Sequence, residues 1–199
     1  MKESQSKDFQ LVERYAIGYR NFERADLHAA QLSNAQLSGV YLCWADLTDV
    51  HLQSAVLNYA DLTGAMMWRS HLHEGSFKWA NLHKTILIKA SAKAANFSGA
   101  KLHRADLRLA QLQNANLSGA DLRGAKIAYA DLTGADLTGA DLTGADLSNA
   151  IINACCWQSA TLNGAKLDES AKEASAPNLS NAQIWRTRDR LQNLTANSL

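Results

Sequence analysis

The chain has 199 residues, enough for one domain with a continuous core, and its 20 Lys and Arg against 19 Asp and Glu leave a net charge of +1. That balance excludes a strong global field for attracting or imitating nucleic acid, so any electrostatic partner must be read locally. The start has no apolar leader core and no stretch approaches the roughly eighteen apolar residues of a membrane span, while three cysteines (Cys43, Cys155, Cys156) without paired spacing suit a reducing compartment; a soluble, cytoplasmic protein without membrane contact is expected.

Residues 1–19 carry apolar side chains at 9, 12 and 16, a helical spacing that Gly18 stops, and are predicted to form a capping helix. From residue 20 to 169 a period of five takes over, clearest in "ADLTGADLTGADLTGADL" at 130–147. An α-helix would rotate successive leucines by about 140° and leave them without a face. A flat strand would send alternate leucines to opposite sides. A chain that turns one corner per repeat keeps them all on one axis, which is a solenoid. Of the thirty positions from 22 to 167 in this register, 28 hold Leu, Phe, Met or Ile, the exceptions being Ala92 and Trp157. The position two earlier is mostly Ala, and the remaining three are mainly polar or Gly.

The pattern Ala-(Asp/Asn)-Leu-x-x resembles the pentapeptide-repeat family, and "RYAIGYRNFERADL" resembles the way cyanobacterial members begin. The resemblance implies an all-β fold, a right-handed quadrilateral β-helix with four repeats per coil, Leu and Ala inward, and short helical caps at the N- and C-termini. Like residues recurring twenty apart support four sides independently: His51 and His71, His83 and His103, Phe77 and Phe97. After a linker at 170–178, residues 179–199 are expected to form a helical cap or a dimerisation segment, leaving the chain a monomer or a homodimer.

One face stands apart. Nine of the eleven glycines fall at the second residue after the centre, yet none lies where the central residues are 27, 47, 67, 87, 107, 127, 147 and 167. Here Met66 should stack outward on Ile86, and Trp68 on Ile88. Residues 69–108 hold eight basic residues against Glu74 and Asp106. Met66, Trp68, Arg69, Ile86, Ile88 and Lys89, flanked by Lys84 and Arg104, are therefore a candidate patch for a protein partner with an acidic or mixed surface. The competing reading is cross-strand stacking alone, worth about 0.2 to 1 kcal/mol per pair. Two alternatives come from the wider picture: DNA-mimicking gyrase binding, which the resemblance implies for some members but which needs a negative rod, and nucleic-acid binding through the central basic belt.

His51, His71 and His73 share a face and could approach a metal, although a solvated ladder is the simpler reading. Asp121, Asp131, Asp136, Asp141 and Asp146 fall on successive faces and cannot converge on one ion. No insertion loop offers a pocket for nucleophile, base and orienter together, so neither an enzyme nor a cofactor is expected.

Overall fold

The computed structural model describes residues 7–168 and 183–185. Among the described residues one helix, α1 (Lys7–Ala16), leads into a stack of coils that continues to residue 168. Parallel bridges join each residue before a centre to the residue twenty further on, from Asn21 opposite Tyr41 to Asp146 opposite Lys166. Four five-residue segments thus make one coil, and four faces result. Face 1 has centres Phe22, Leu42 and onward to Leu162; face 2 runs from Leu27 to Leu167, face 3 from Leu32 to Ile152, and face 4 from Leu37 to Trp157.

All thirty centres are buried, including the irregular Ala92 and Trp157. Each buried leucine contributes about 1.5 to 3 kcal/mol relative to exposure, and the column is continuous from coil to coil. Phe77 and Phe97 stack inside it with ring centroids 5.0 Å apart. Two hydroxyls replace the inward alanine: Thr85 Oγ1 donates to Leu62 O at 2.9 Å, whereas Ser70 Oγ is buried without a hydrogen-bond partner.

The backbone accounts for the rest of the repeat. A central N–H donates to the next coil (Phe22 N to Tyr41 O, 2.8 Å), and so does the corner residue two further on (Arg24 N to Cys43 O, 2.9 Å). The residue before the centre donates back to the previous coil (Asp46 N to Ala25 O, 2.9 Å), and the inward alanine closes the turn (Ala25 N to Phe22 O, 3.1 Å). One N–H is left over, on the residue after the centre. An Asp or Asn before the centre accepts it, as Asp46 does from Thr48 at 2.9 Å and Asp131 from Thr133 at 3.0 Å. The aspartates of the regular coils are therefore turn caps first and surface charges second.

Every corner from residue 24 to residue 164 has φ between +54° and +70°. Glycine adopts that conformation without penalty, but twenty of the twenty-nine corners are not glycine and include Trp44, Tyr59, Trp79 and Leu109.

At the N-terminal end α1 is present, but not on the expected stripe. Leu11 is buried in the core cluster and Tyr15, one turn on, packs against it, whereas Phe9, Val12 and Ala16 are exposed. One i, i+4 pair, Leu11 and Tyr15, thus carries the helix's contact with the core. Tyr15 is pinned by its hydroxyl, which donates to Ser38 O at 2.8 Å. Gly18, at φ +97°, ends the helix in a Schellman motif, with Gly18 N on Tyr15 O and Tyr19 N on Arg14 O.

At the other end β1 (Lys166–Asp168) pairs in parallel with β2 (Gln183–Trp185), Lys166 lying opposite Gln183. The helix expected across 179–199 is thus corrected at 183–185, which form a strand. The last coil offers an open edge of backbone donors and acceptors, and Ile and Trp favour extended pairing. The linker at 170–178 and the remainder of the C-terminal segment lie outside the described residues.

Two stability measurements follow. Leu107→Asp places a carboxylate at a site 2% exposed and should cost about 4 kcal/mol or more, seen as loss of the middle coils in circular-dichroism melts. Ala94→Gly, at φ +54°, removes a Cβ from a left-handed corner and should stabilise by about 0.5 to 1 kcal/mol in urea titrations, the relief exceeding the added chain entropy.

Candidate functional site

Face 2 is capped by Asp26, Asp46, Asp106 and Asp146, each accepting the N–H two residues on. Between Asp46 and Asp106, two consecutive coils put Met66 and Ile86 at the capping position, and Lys126 takes it one coil after Asp106. The turn caps of Trp68 and Ile88 are forgone there, and in their place stand Met66, Trp68 and Ile86, at 42%, 39% and 38% exposure, with a half-buried Ile88. Met66 and Ile86 are bridged neighbours on adjacent coils, and Trp68 and Ile88 sit two residues after them on the same face.

The charges around it are arranged differently from the simple count. Arg69 forms a bidentate pair with Asp49 of the preceding coil, Nε to Oδ1 at 2.8 Å and Nη2 to Oδ2 at 2.5 Å, and its guanidinium lies 4.2 Å from the Trp68 ring. Asp49 is held below the ordinary carboxylate range by that hydrogen bond. Arg69 therefore braces the tryptophan rather than presenting a free cation. Arg108 is likewise paired with Asp106, both contacts at 2.8 Å. Lys84, Lys89 and Arg104 are exposed, and among the described residues no ion pair engages them. The basic belt is thus weaker than its residue count, and the charge nearest the patch sits on the two corners flanking face 2.

Sequence reasoning missed several exposed aromatics. Trp44 lies across Gly64, where an added Cβ would meet its ring at 2.3 Å, and so extends the apolar surface beside Met66. Trp79 covers Gly99 in the same way, and Tyr41, Tyr59 and Tyr129 are also exposed. The available signal was an aromatic at a corner with glycine one coil later.

On face 3, His51 and His71 stack at 4.5 Å and His71 meets His73 edge-on at 6.3 Å. The outer rings are engaged by Gln53 (Nε2 to His51 Nδ1, 3.3 Å) and Ser91 (Oγ to His73 Nδ1, 3.2 Å). Among the described residues no group of three or more His, Cys, Asp or Glu is placed to hold a metal ion. Burial, then the neighbouring His51 and His73, lowers the His71 pKa. Cys155 occupies an inward small position with its thiol donating to Leu132 O at 3.0 Å, and burial pushes it up to about 11; Cys156 beside it is exposed.

Because the unfolded chain takes up a proton at the ordinary imidazole pKa and folded His71 resists it, stability should fall as pH drops through about 6.5. The fall in melting temperature between about pH 7.5 and 5.5 should be smaller in His71→Gln than in the wild type.

The pentapeptide-repeat family model, described as "Pentapeptide repeats (8 copies)", matches residues 21–42, 35–73, 45–83, 76–114, 115–153 and 130–170. Solved structures similar to the chain include a pentapeptide repeat protein of the Arabidopsis thaliana thylakoid lumen, at 28% identity over 62% of this chain and 74% of that one, with a TM-score of 0.39. HetL of Nostoc, a pentapeptide repeat protein involved in heterocyst differentiation regulation, is 26% identical over 78% and 94% of the two chains, at a TM-score of 0.25. QnrB1, a plasmid-mediated fluoroquinolone resistance protein, is 15% identical over 89% and 94%, at 0.38. No curated protein matches the chain. With its five-residue register carried through the whole stack of coils and matched from residue 21 to 170, the chain belongs to the pentapeptide-repeat family, whose members fold as right-handed β-helices.

Proposed function

We propose that this chain is a non-catalytic protein-interaction module, a rigid quadrilateral β-helix with α1 as its N-terminal cap, working in the cytoplasm. It engages a protein partner of acidic or mixed surface through Met66, Trp68, Ile86 and Ile88, with Arg69 holding Trp68 in place and Lys84, Lys89 and Arg104 as the charged rim. The observation that carries this reading is the replacement of the capping aspartate by Met66 and Ile86 in two consecutive coils. Each forgone cap is worth about 0.5 to 1.5 kcal/mol, and the exposed apolar side chains gain no core contact in return. Other coils also lack the cap, at polar residues such as His51, His71 and Lys101; what sets these two apart is that the replacing side chains are apolar and exposed in adjacent coils. The neighbouring acids are already engaged, Asp49 by Arg69 and Asp106 by Arg108, so the charge left for a partner is positive. An anchor of aromatic and aliphatic side chains inside a basic rim suits a partner that brings carboxylates around an apolar contact.

The test compares proteins captured from lysate of the source organism by wild type and by a Trp68→Ser/Ile88→Asp variant shown to be folded by circular dichroism. A partner bound by wild type and lost, by tenfold or more, from the variant supports the patch. Identical capture by both reduces the patch to sheet packing.

A further inference from the structure

Face 1 carries a second irregularity, one corner away from the Met66 patch. Its flat holds His83 and His103, stacked with centroids 5.2 Å apart and planes 4° from parallel. Beside them stands Lys101, bridged between Asn81 and Asp121. The corner towards face 2 reads Gly64, Lys84, Arg104, Gly124, and both cations sit at φ +57°, where glycine occupies the coils on either side. Lys84 and Arg104 therefore project side chains from a corner where the flanking coils, Gly64 and Gly124, have none. At the opposite corner Trp79 lies across Gly99 and is 58% exposed.

The acids nearest this cluster are occupied. Asp121 is held bidentately by Arg123 at 2.8 and 2.6 Å, Asp141 accepts from Thr143 at 3.0 and 2.6 Å, and Asp61 accepts from Thr63 at 3.0 and 2.6 Å. Among the described residues no ion pair engages Lys84, Lys101 or Arg104. His103 Nδ1 is buried and has no protein partner. Within two coils, then, the face brings together three cations without an ion pair, two imidazoles and an open indole, and the carboxylate that borders them, Asp121 beside Lys101, is already paired with Arg123.

We infer that face 1 binds a nucleoside polyphosphate, the base stacking on Trp79 and the phosphates lying on Lys84, Lys101 and Arg104 across the paired histidines. Lys84 and Arg104 are one coil apart, about 4.8 Å along the stack, a spacing that lets both reach oxygens of the same or adjacent phosphates. One aromatic platform beside one cation cluster suits a single nucleotide. A nucleic-acid strand needs a continued track, and the charge does not continue: Asp61 lies in the coil before, and the Arg123 pair with Asp121 in the coil after. The site is independent of the protein-binding patch, although Lys84 and Arg104 border both.

Calorimetric titrations with ATP, inorganic tripolyphosphate, adenosine and a single-stranded oligonucleotide test the assignment. ATP should bind at least tenfold more tightly than tripolyphosphate, and Trp79→Ala should bring the two level. Lys101→Gln/Arg104→Gln should weaken both by tenfold or more, and Trp68→Ser/Ile88→Asp should leave both unchanged. The histidine ring signals of His83 and His103 should shift on ATP addition while those of His51 do not. Four results would each overturn the site: no ATP binding at millimolar concentration, equal affinity for tripolyphosphate, indifference to the Lys101 and Arg104 changes, or an oligonucleotide that binds many-fold more tightly than ATP.

Discussion

Everything in this molecule depends on a twenty-residue hydrogen-bond register. A central N–H reaches a carbonyl nineteen residues on, the residue before the next centre returns a bond to the coil below, and the chain can do this only by turning a left-handed corner every fifth residue. The register dictates the buried leucine column, the small residue two before it and the polar cap between them. It also removes the usual freedom of a surface. A side chain on a face has fixed neighbours twenty residues away in each direction, so its chemistry is set by what those neighbours are.

That dependence explains which features were legible in the sequence. The period and the inward columns are properties of single positions, and all thirty centres are where the spacing puts them. The face that gathers Met66, Trp68, Ile86 and Ile88 follows from counting modulo twenty. Charge was harder, because Arg69 is neutralised by Asp49 from a different coil and Arg108 by an aspartate two residues earlier. A count over residues 69–108 includes the first arginine and omits its partner. The capping role of the aspartates of the regular coils, each accepting the backbone N–H two residues on, was likewise visible only once the turn was built.

The ends were least legible. An amphipathic reading of residues 9, 12 and 16 identified a helix but the wrong face, because a helix lying over the mouth of a coil buries a single i, i+4 pair rather than a broad stripe. Residues 183–185 pair with β1 as a strand because an open edge of the stack is a stronger partner than their own helical pattern. In both places tertiary context outweighed local periodicity.

The distribution of corner glycines ties stability to function. Between residues 119 and 144, five of six corners are glycine, whereas between 44 and 114 only Gly64 and Gly99 are. The left-handed conformation is present at all of them, so the unfavourable Cβ contacts are concentrated in the earlier coils. A solenoid sums local terms and couples only neighbours, so regular coils at one end can offset strain held in the other without sharing its surface. The coils with strained corners are also those that carry Trp44, Trp68, Trp79, Lys84 and Arg104. The near-perfect repeats are the part of the chain that lets the imperfect ones exist, and the exposed aromatic and cationic side chains gather in the coils where the backbone is least comfortable.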